Sequence, residues 1–137
     1  MPYRVYRVSY EVRGAKYNRI FALDAVEGSL DMFAFPQVPG EEDLVTLDTR
    51  NGLTSSLDSS RAAALLYEKV LRVIFQQGFF KLSEPKLQLS LEPPDVHIPY
   101  WLAFYGRHVL RCRVLDAVRR RIEGAKASAF FEQWLAA

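Results

Sequence analysis

Polar and apolar residues alternate from residue 3 to residue 12: Tyr6, Val8, Tyr10 and Val12 fall on one side, Arg7, Ser9 and Glu11 on the other. A period of two, with β-branched and aromatic members, predicts a half-buried strand. Arg13-Gly14-Ala15-Lys16 supplies a turn, and residues 17–23 return as a second strand. Asp24-Ala25-Val26-Glu27-Gly28 then reads as a tight reversal, because an aspartate can accept bonds from the backbone ahead of it and Gly28 can take positive φ. Residues 29–35 follow as a third strand, stopped by Pro36 and Pro39.

Residues 40–58 are acidic and rich in Gly, Ser and Thr, with residues 44–49 as a candidate short edge strand. A helix is expected over residues 58–77: Asp58 can cap it, no Gly or Pro interrupts residues 62–77, and Gly78 suits its end. Ala63, Leu66, Val70, Val73 and Ile74 recur on one face at helical spacing. Residues 86–92 alternate again, with Leu87, Leu89 and Leu91 inward, until Pro93-Pro94 breaks them. Residues 96–105 are apolar on both faces, the pattern of a central strand covered on both sides. Gly106-Arg107 fits a two-residue hairpin turn, and residues 109–115 run back with Leu110, Cys112 and Val114 inward. Residues 128–135 form a short amphipathic helix docking Phe130, Phe131, Trp134 and Leu135, while residues 117–127 are open between strand and helix.

The order Pro-Tyr, strand, turn, strand, Leu-Asp-Ala-Val occurs twice, from Pro2-Tyr3 to Leu23–Val26 and from Pro99-Tyr100 to Leu115–Val118. The expected fold is therefore α+β in one domain, residues 1–137. An antiparallel sheet of about six or seven strands comes from two similar ββ-turn-β units, residues 1–35 and 96–137. The main helix packs on the sheet and a short helix ends the chain. Asp24-Ala25-Val26-Glu27-Gly28 resembles the D-A-x-T-G turn of PepSY-type repeats, lacking the Thr; Asp116-Ala117-Val118-Arg119-Arg120 lacks both Thr and Gly. The resemblance covers about a third of the chain and implies a small α+β module for non-catalytic interaction or inhibition, with no catalytic residues carried over.

Composition narrows the function classes. Half the residues are hydrophobic and a quarter are charged, an ordinary globular balance, and no apolar run reaches the length of a bilayer span. Cys112 is the single cysteine, which excludes an internal disulfide and a multi-cysteine metal site and points to the cytoplasm. The net charge of +2 is unevenly spread: residues 1–23 carry +4, residues 24–58 carry −7 and residues 96–137 carry +4.

Candidate chemistry is sparse. Asp24 and Asp116 could pair as acid and base, but a turn-forming role is the commoner use of such residues. His97 with Asp95, His108 and Cys112 show no metal-ligand spacing, and Cys112 alternates with core residues. Neither G-x-G-x-x-G nor a phosphate loop occurs. No catalytic, cofactor or metal residue is therefore expected.

The strongest surface feature is basic. Arg107, Arg111 and Arg113 are expected on one strand face, Arg119, Arg120 and Arg121 follow, and Trp101 and Tyr105 share the parity of Arg107. Rings beside guanidiniums suit stacking on bases, although arginines on an outer strand also discourage edge pairing. The aromatic residues Phe33, Phe35, Phe79, Phe80, Trp101, Phe104, Phe130, Phe131 and Trp134 exceed what so short a chain easily buries, and leftover aromatic surface marks interfaces. The expected function is a non-catalytic protein-interaction or assembly module, a homodimer or a subunit. The alternative is a single-stranded nucleic-acid or polyanion binder working through residues 107–121.

Overall fold

A computed structural model describes residues 1–78 and 85–137. The elements, in chain order, are strands β1 (Pro2–Val12), β2 (Ala15–Asp24) and β3 (Phe33–Phe35), helix α1 (Ser59–Gln76), strands β4 (Gln88–Leu91), β5 (Val96–His97), β6 (Tyr100–Tyr105), β7 (Arg111–Asp116) and β8 (Arg121–Ile122), and helix α2 (Ala125–Ala136). The class is α+β, but the strands divide between two antiparallel sheets. One has the order β3-β2-β1-β4 with β5 also on β1, and the other the order β6-β7-β8. The chain divides into two compact units, Pro2–Val96 and His97–Ala137 with Met1, and the boundary falls inside β5. Among the described residues no helix is long and apolar enough to cross a membrane.

In the first unit, period-two alternation becomes a long hairpin. β1 pairs with β2 from Tyr3↔Asp24 to Val12↔Ala15. Arg13 (φ 52°) and Gly14 (φ 78°) make the two-residue turn, both left-handed, which matches the twist of the strands. Tyr6, Val8, Tyr10 and Val12 face the core, where Leu66, Val70 and Ile74 of α1 meet them. Full burial of each such aliphatic side chain contributes about 1.5–3 kcal/mol, so this contact between sheet and helix is the main stabilising layer of the unit. Asp58 caps α1 by accepting the N–H groups of Ser60 (3.0 Å) and Arg61 (3.2 Å). The buried stripe begins at Ala62, with Ala63 and Val73 only half-buried, so it is rotated slightly from the sequence expectation.

The third strand is shorter than expected. It starts at Phe33 because the N–H groups of Ser29 and Leu30 are committed to the Asp24 carboxylate and cannot join a ladder. Residues 44–49 form no strand: a short 3-10 turn, Glu41–Asp43, leads into an open stretch with Leu44, Val45 and Leu47 exposed. Alternating apolar residues alone do not make a strand without a neighbour to pair with. This acidic stretch is anchored at its far end, where Ser56 and Leu57 donate their N–H groups to the carbonyl of Ala25 (2.9 Å each) and Leu53 and Leu57 are buried. Arg4 also donates to the carbonyl of Leu57 (3.1 Å), and Ser55 donates to Asp95 (2.6 Å).

In the second unit β6 pairs with β7 from Tyr100↔Asp116 to Tyr105↔Arg111, so the hairpin connection is residues 106–110 and not the two-residue Gly106-Arg107 turn. Cys112 and Val114 face α2 and are buried, whereas Leu110 lies in the loop and is exposed. Phe130 and Phe131 of α2 are buried, Phe131 packing on Tyr100 with ring centroids 5.5 Å apart, while Trp134 and Leu135 stay partly exposed. The two-faced apolar run of residues 96–105 is not one central strand. It breaks at Ile98 and Pro99, and β6 is an edge strand pairing only with β7 among the described residues. Phe79 and Phe80, expected among the surplus aromatics, lie outside the described residues.

The fifth residue after each Leu takes the same backbone conformation, left-handed at Gly28 (φ 70°) and at Arg120 (φ 55°). A Cβ on Gly28 would come within 2.7 Å of Leu65 and 3.2 Å of Leu57. Gly28→Ala is expected to lower unfolding free energy in urea by about 1–2 kcal/mol, whereas Arg120→Gly should raise it by about 0.5–1 kcal/mol by relieving left-handed strain. A common sign for the two substitutions would contradict this equivalence.

Candidate functional site

Both Leu-Asp-Ala-Val corners are built by the same bonds. Ala25 donates its N–H to the carbonyl of Pro2 (3.0 Å), and Ala117 donates to that of Pro99 (3.1 Å). One oxygen of Asp24 accepts the N–H groups of Val26 (2.8 Å) and Glu27 (3.2 Å), as one oxygen of Asp116 accepts those of Val118 (2.9 Å) and Arg119 (3.0 Å). Each carboxylate is 0% exposed. The second oxygens differ. That of Asp24 takes the N–H groups of Ser29 (3.1 Å) and Leu30 (3.3 Å), while that of Asp116 takes the Arg119 guanidinium. Arg119 reaches on to Glu123 (3.4 Å). Burial pulls the Arg119 guanidinium down, but the bond to Asp116 and the charges of Asp116 and Glu123 outweigh it and raise it further. A carboxylate sealed from solvent with both oxygens occupied by backbone or guanidinium donors is placed to hold a turn, not to exchange protons with a substrate.

The other titratable candidates stand apart from any shared centre. Asp95 is held by Arg4 (3.6 Å) and Ser55, and His97 and His108 are exposed. Among the described residues no three His, Cys, Asp or Glu side chains come together in a metal-binding group. Cys112 is buried beneath α2, where burial and then the nearby Glu132 carboxylate push its thiol up, away from the reactive thiolate. A small pocket of about 140 Å³ lies next to it, lined by Phe104, Leu110, Glu132 and Leu135.

What remains is one face of the three-stranded sheet. Directly paired residues of an antiparallel sheet share a face, so Trp101 and Leu115, Ala103 and Arg113, and Tyr105 and Arg111 stand side by side, with Ile122 next to Leu115. All are exposed, Trp101 at 70% and Tyr105 at 51%, because α2 packs on the opposite face with Cys112 and Val114. The Arg113 guanidinium lies 5.9 Å from the centroid of the Tyr105 ring.

The structure thus brings together four of the eight expected surface residues: Trp101, Tyr105, Arg111 and Arg113. It separates the others. Arg107 is in the hairpin loop and not on the strand face, Arg119 is committed to its corner, Arg120 occupies the left-handed position of that corner, and Arg121 pairs with Glu123 (3.3 Å). Arg111 is itself paired with Glu132 (3.3 Å). The arginines of β7 sit on the middle strand, so they do not guard a sheet edge. The structural role of Arg119 was missed from sequence, yet its spacing from Asp116 (three residues) and Glu123 (four residues) carried the signal. No known family model, curated protein or solved structure matches the chain.

Asp24→Asn is expected to destabilise the protein by about 2–4 kcal/mol, since an amide cannot accept at both ends from four buried donors. Asp116→Asn should cost about as much: its remaining oxygen can still accept from Val118 and Arg119, but the amide sets an N–H donor against the Arg119 guanidinium, which keeps Glu123. Chemical denaturation measures both, and unchanged stability in the pair would revive a protonic role. Cys112 should react with Ellman's reagent at pH 8 more slowly than an exposed thiol and reach the exposed rate on unfolding; equal rates before and after unfolding would contradict its burial and raised thiol.

Proposed function

We propose that this protein is a non-catalytic interaction or assembly module whose contact surface is the open face of the β6-β7-β8 sheet. The observation that carries the reading is Trp101, 70% exposed on a regular strand beside Tyr105, Arg113, Leu115 and Ile122. Trp, Tyr and Arg are the residue types that dominate binding energy at protein interfaces, and a strand-borne tryptophan is already ordered for contact. The two matching corners support a duplicated ββ-turn-β building block, with Arg120 in the place of the PepSY-type glycine. The lone cysteine fits a cytoplasmic setting, and homodimerisation is the simplest use of such a surface.

A second reading, a single-stranded nucleic-acid or polyanion binder, is favoured by the same rings next to Arg113 and Arg111. It is weaker because Arg111, Arg119 and Arg121 each already meet a carboxylate, which reduces the charge available to phosphates.

Capture of binding proteins from the native host by wild type and by a Trp101→Ser, Tyr105→Ser double variant separates the readings. Partners held by wild type and lost by a folded double variant support the interaction module, and equal capture overturns it. Labelled single-stranded oligonucleotides bound at low salt, released steeply as salt rises and lost with Arg113→Ala, would establish the second reading instead.

A further inference from the structure

The two hairpins differ in one respect that their matching corners make measurable. Aligning Pro2 with Pro99 through the equivalent Ala25 and Ala117 bonds places Val5–Val8 of β1 opposite Leu102–Tyr105 of β6. In the first unit the edge of β1 away from β2 is covered: Glu92 donates to the carbonyl of Val5 (2.9 Å), and β4 pairs from Tyr6↔Leu91 to Ser9↔Gln88. The corresponding edge of β6 has no strand, since β6 pairs only with β7 among the described residues. The carbonyl of Pro99 points to β7, so by alternation the N–H and C=O groups of Leu102 and Phe104 point to the open edge, as those of Val5 and Arg7 point to β4.

Edges of this kind are normally blunted by a lysine, a proline or a bulge. Residues 100–105 contain none of these and no charge, while Trp101 and Phe104 (48% exposed) flank the edge on opposite faces. We infer that β6 pairs antiparallel with β6 of a second copy, centred on Ala103, joining two three-stranded sheets into one six-stranded sheet. The inference rests on the interaction-module reading and names its partner.

Self-pairing suits this strand in three ways. A register centred on Ala103 sets Leu102 against the partner's Phe104 with their edge-facing backbone groups bonded. It sets Trp101 against the partner's Tyr105 on the exposed face, and the two alanines against each other, so large meets large and small meets small. Charges are compatible, because the strand is neutral and the arginines lie one strand back on β7. From their exposures, Trp101, Phe104 and Tyr105 together offer roughly 350 Å² per copy, about 700 Å² for the pair before backbone is counted, below the roughly 1,200 Å² of a standard stable interface and in the range of weak, transient contacts. The expected dimer is therefore reversible and micromolar.

Analytical ultracentrifugation of the full chain over a micromolar concentration series tests this, with circular dichroism as the check of folding. Wild type should show a monomer–dimer equilibrium. Phe104→Pro removes an edge-facing N–H without touching the β6–β7 bonds and should weaken dimerisation at least about tenfold. Should that variant not fold, a charge pair decides: Trp101→Lys with Tyr105→Lys places like charges opposite each other and should weaken the dimer about tenfold or more, whereas Trp101→Lys with Tyr105→Glu should retain it. A wild type that stays monomeric overturns self-pairing alone, leaving the interaction reading to the capture comparison. A dimer that survives these β6 substitutions but is lost with Leu44→Asp and Leu47→Asp belongs to the acidic stretch and overturns it equally.

Discussion

The Asp24 carboxylate is the interaction on which the first unit depends. Four backbone N–H groups would otherwise be left at the corner after β2, and it satisfies all of them from a position with no access to water. Ionised acceptors give stronger hydrogen bonds than neutral ones, which favours a carboxylate over an amide where so many donors converge. The fixed corner then aims the carbonyl of Ala25 at Ser56 and Leu57, two residues before the Asp58 cap, so the approach to α1 is set from the same point. Lys69 closes the circuit by donating from α1 to the carbonyl of Leu30 (3.0 Å). Sheet, corner and helix are thus tied by polar bonds around a core that apolar burial fills.

The second corner reaches the same backbone path by a different route. Arg119 supplies from a side chain what Ser29 and Leu30 supply from the backbone, and Arg120 accepts a left-handed conformation that Gly28 takes at little cost. A basic pair that reads as a surface for anions is thereby largely committed to structure. The uncommitted surface lies instead on the strands, where Trp101, Tyr105 and Arg113 cluster.

Much of this was legible in the chain. Alternation identified β1, β2 and β4, helical spacing with Asp58 and Gly78 bounded α1 to within a residue or so, and the turn chemistry of Asp24 and Gly28 was readable from residue type. The rest depended on neighbours that a linear pattern does not specify. Residues 96–105 look doubly covered because both faces are apolar, yet α2 packs on only one face of β6-β7 and Trp101 and Tyr105 stay exposed on the other, which periodicity alone does not reveal. Likewise residues 44–49 have the alternation of a strand but pair with none of the described strands. On the candidate surface, parity placed Trp101 and Tyr105 together correctly. It misplaced Arg107 because the hairpin loop is longer than the Gly106-Arg107 turn, so strand parity ends at Tyr105.

The acidic stretch between β3 and α1 has a further consequence. Its far end is moored to Ala25, Arg4 and Asp95, while its middle pairs with no strand among the described residues and exposes Val45 at 82%. The entropy of closing a loop rises only by about 0.6 kcal/mol for each doubling of length, so a loop moored in this way can be greatly extended at small cost to its scaffold. Residues 44–50 are accordingly the place where this fold could carry an inserted segment, even a second domain, without disturbing either corner.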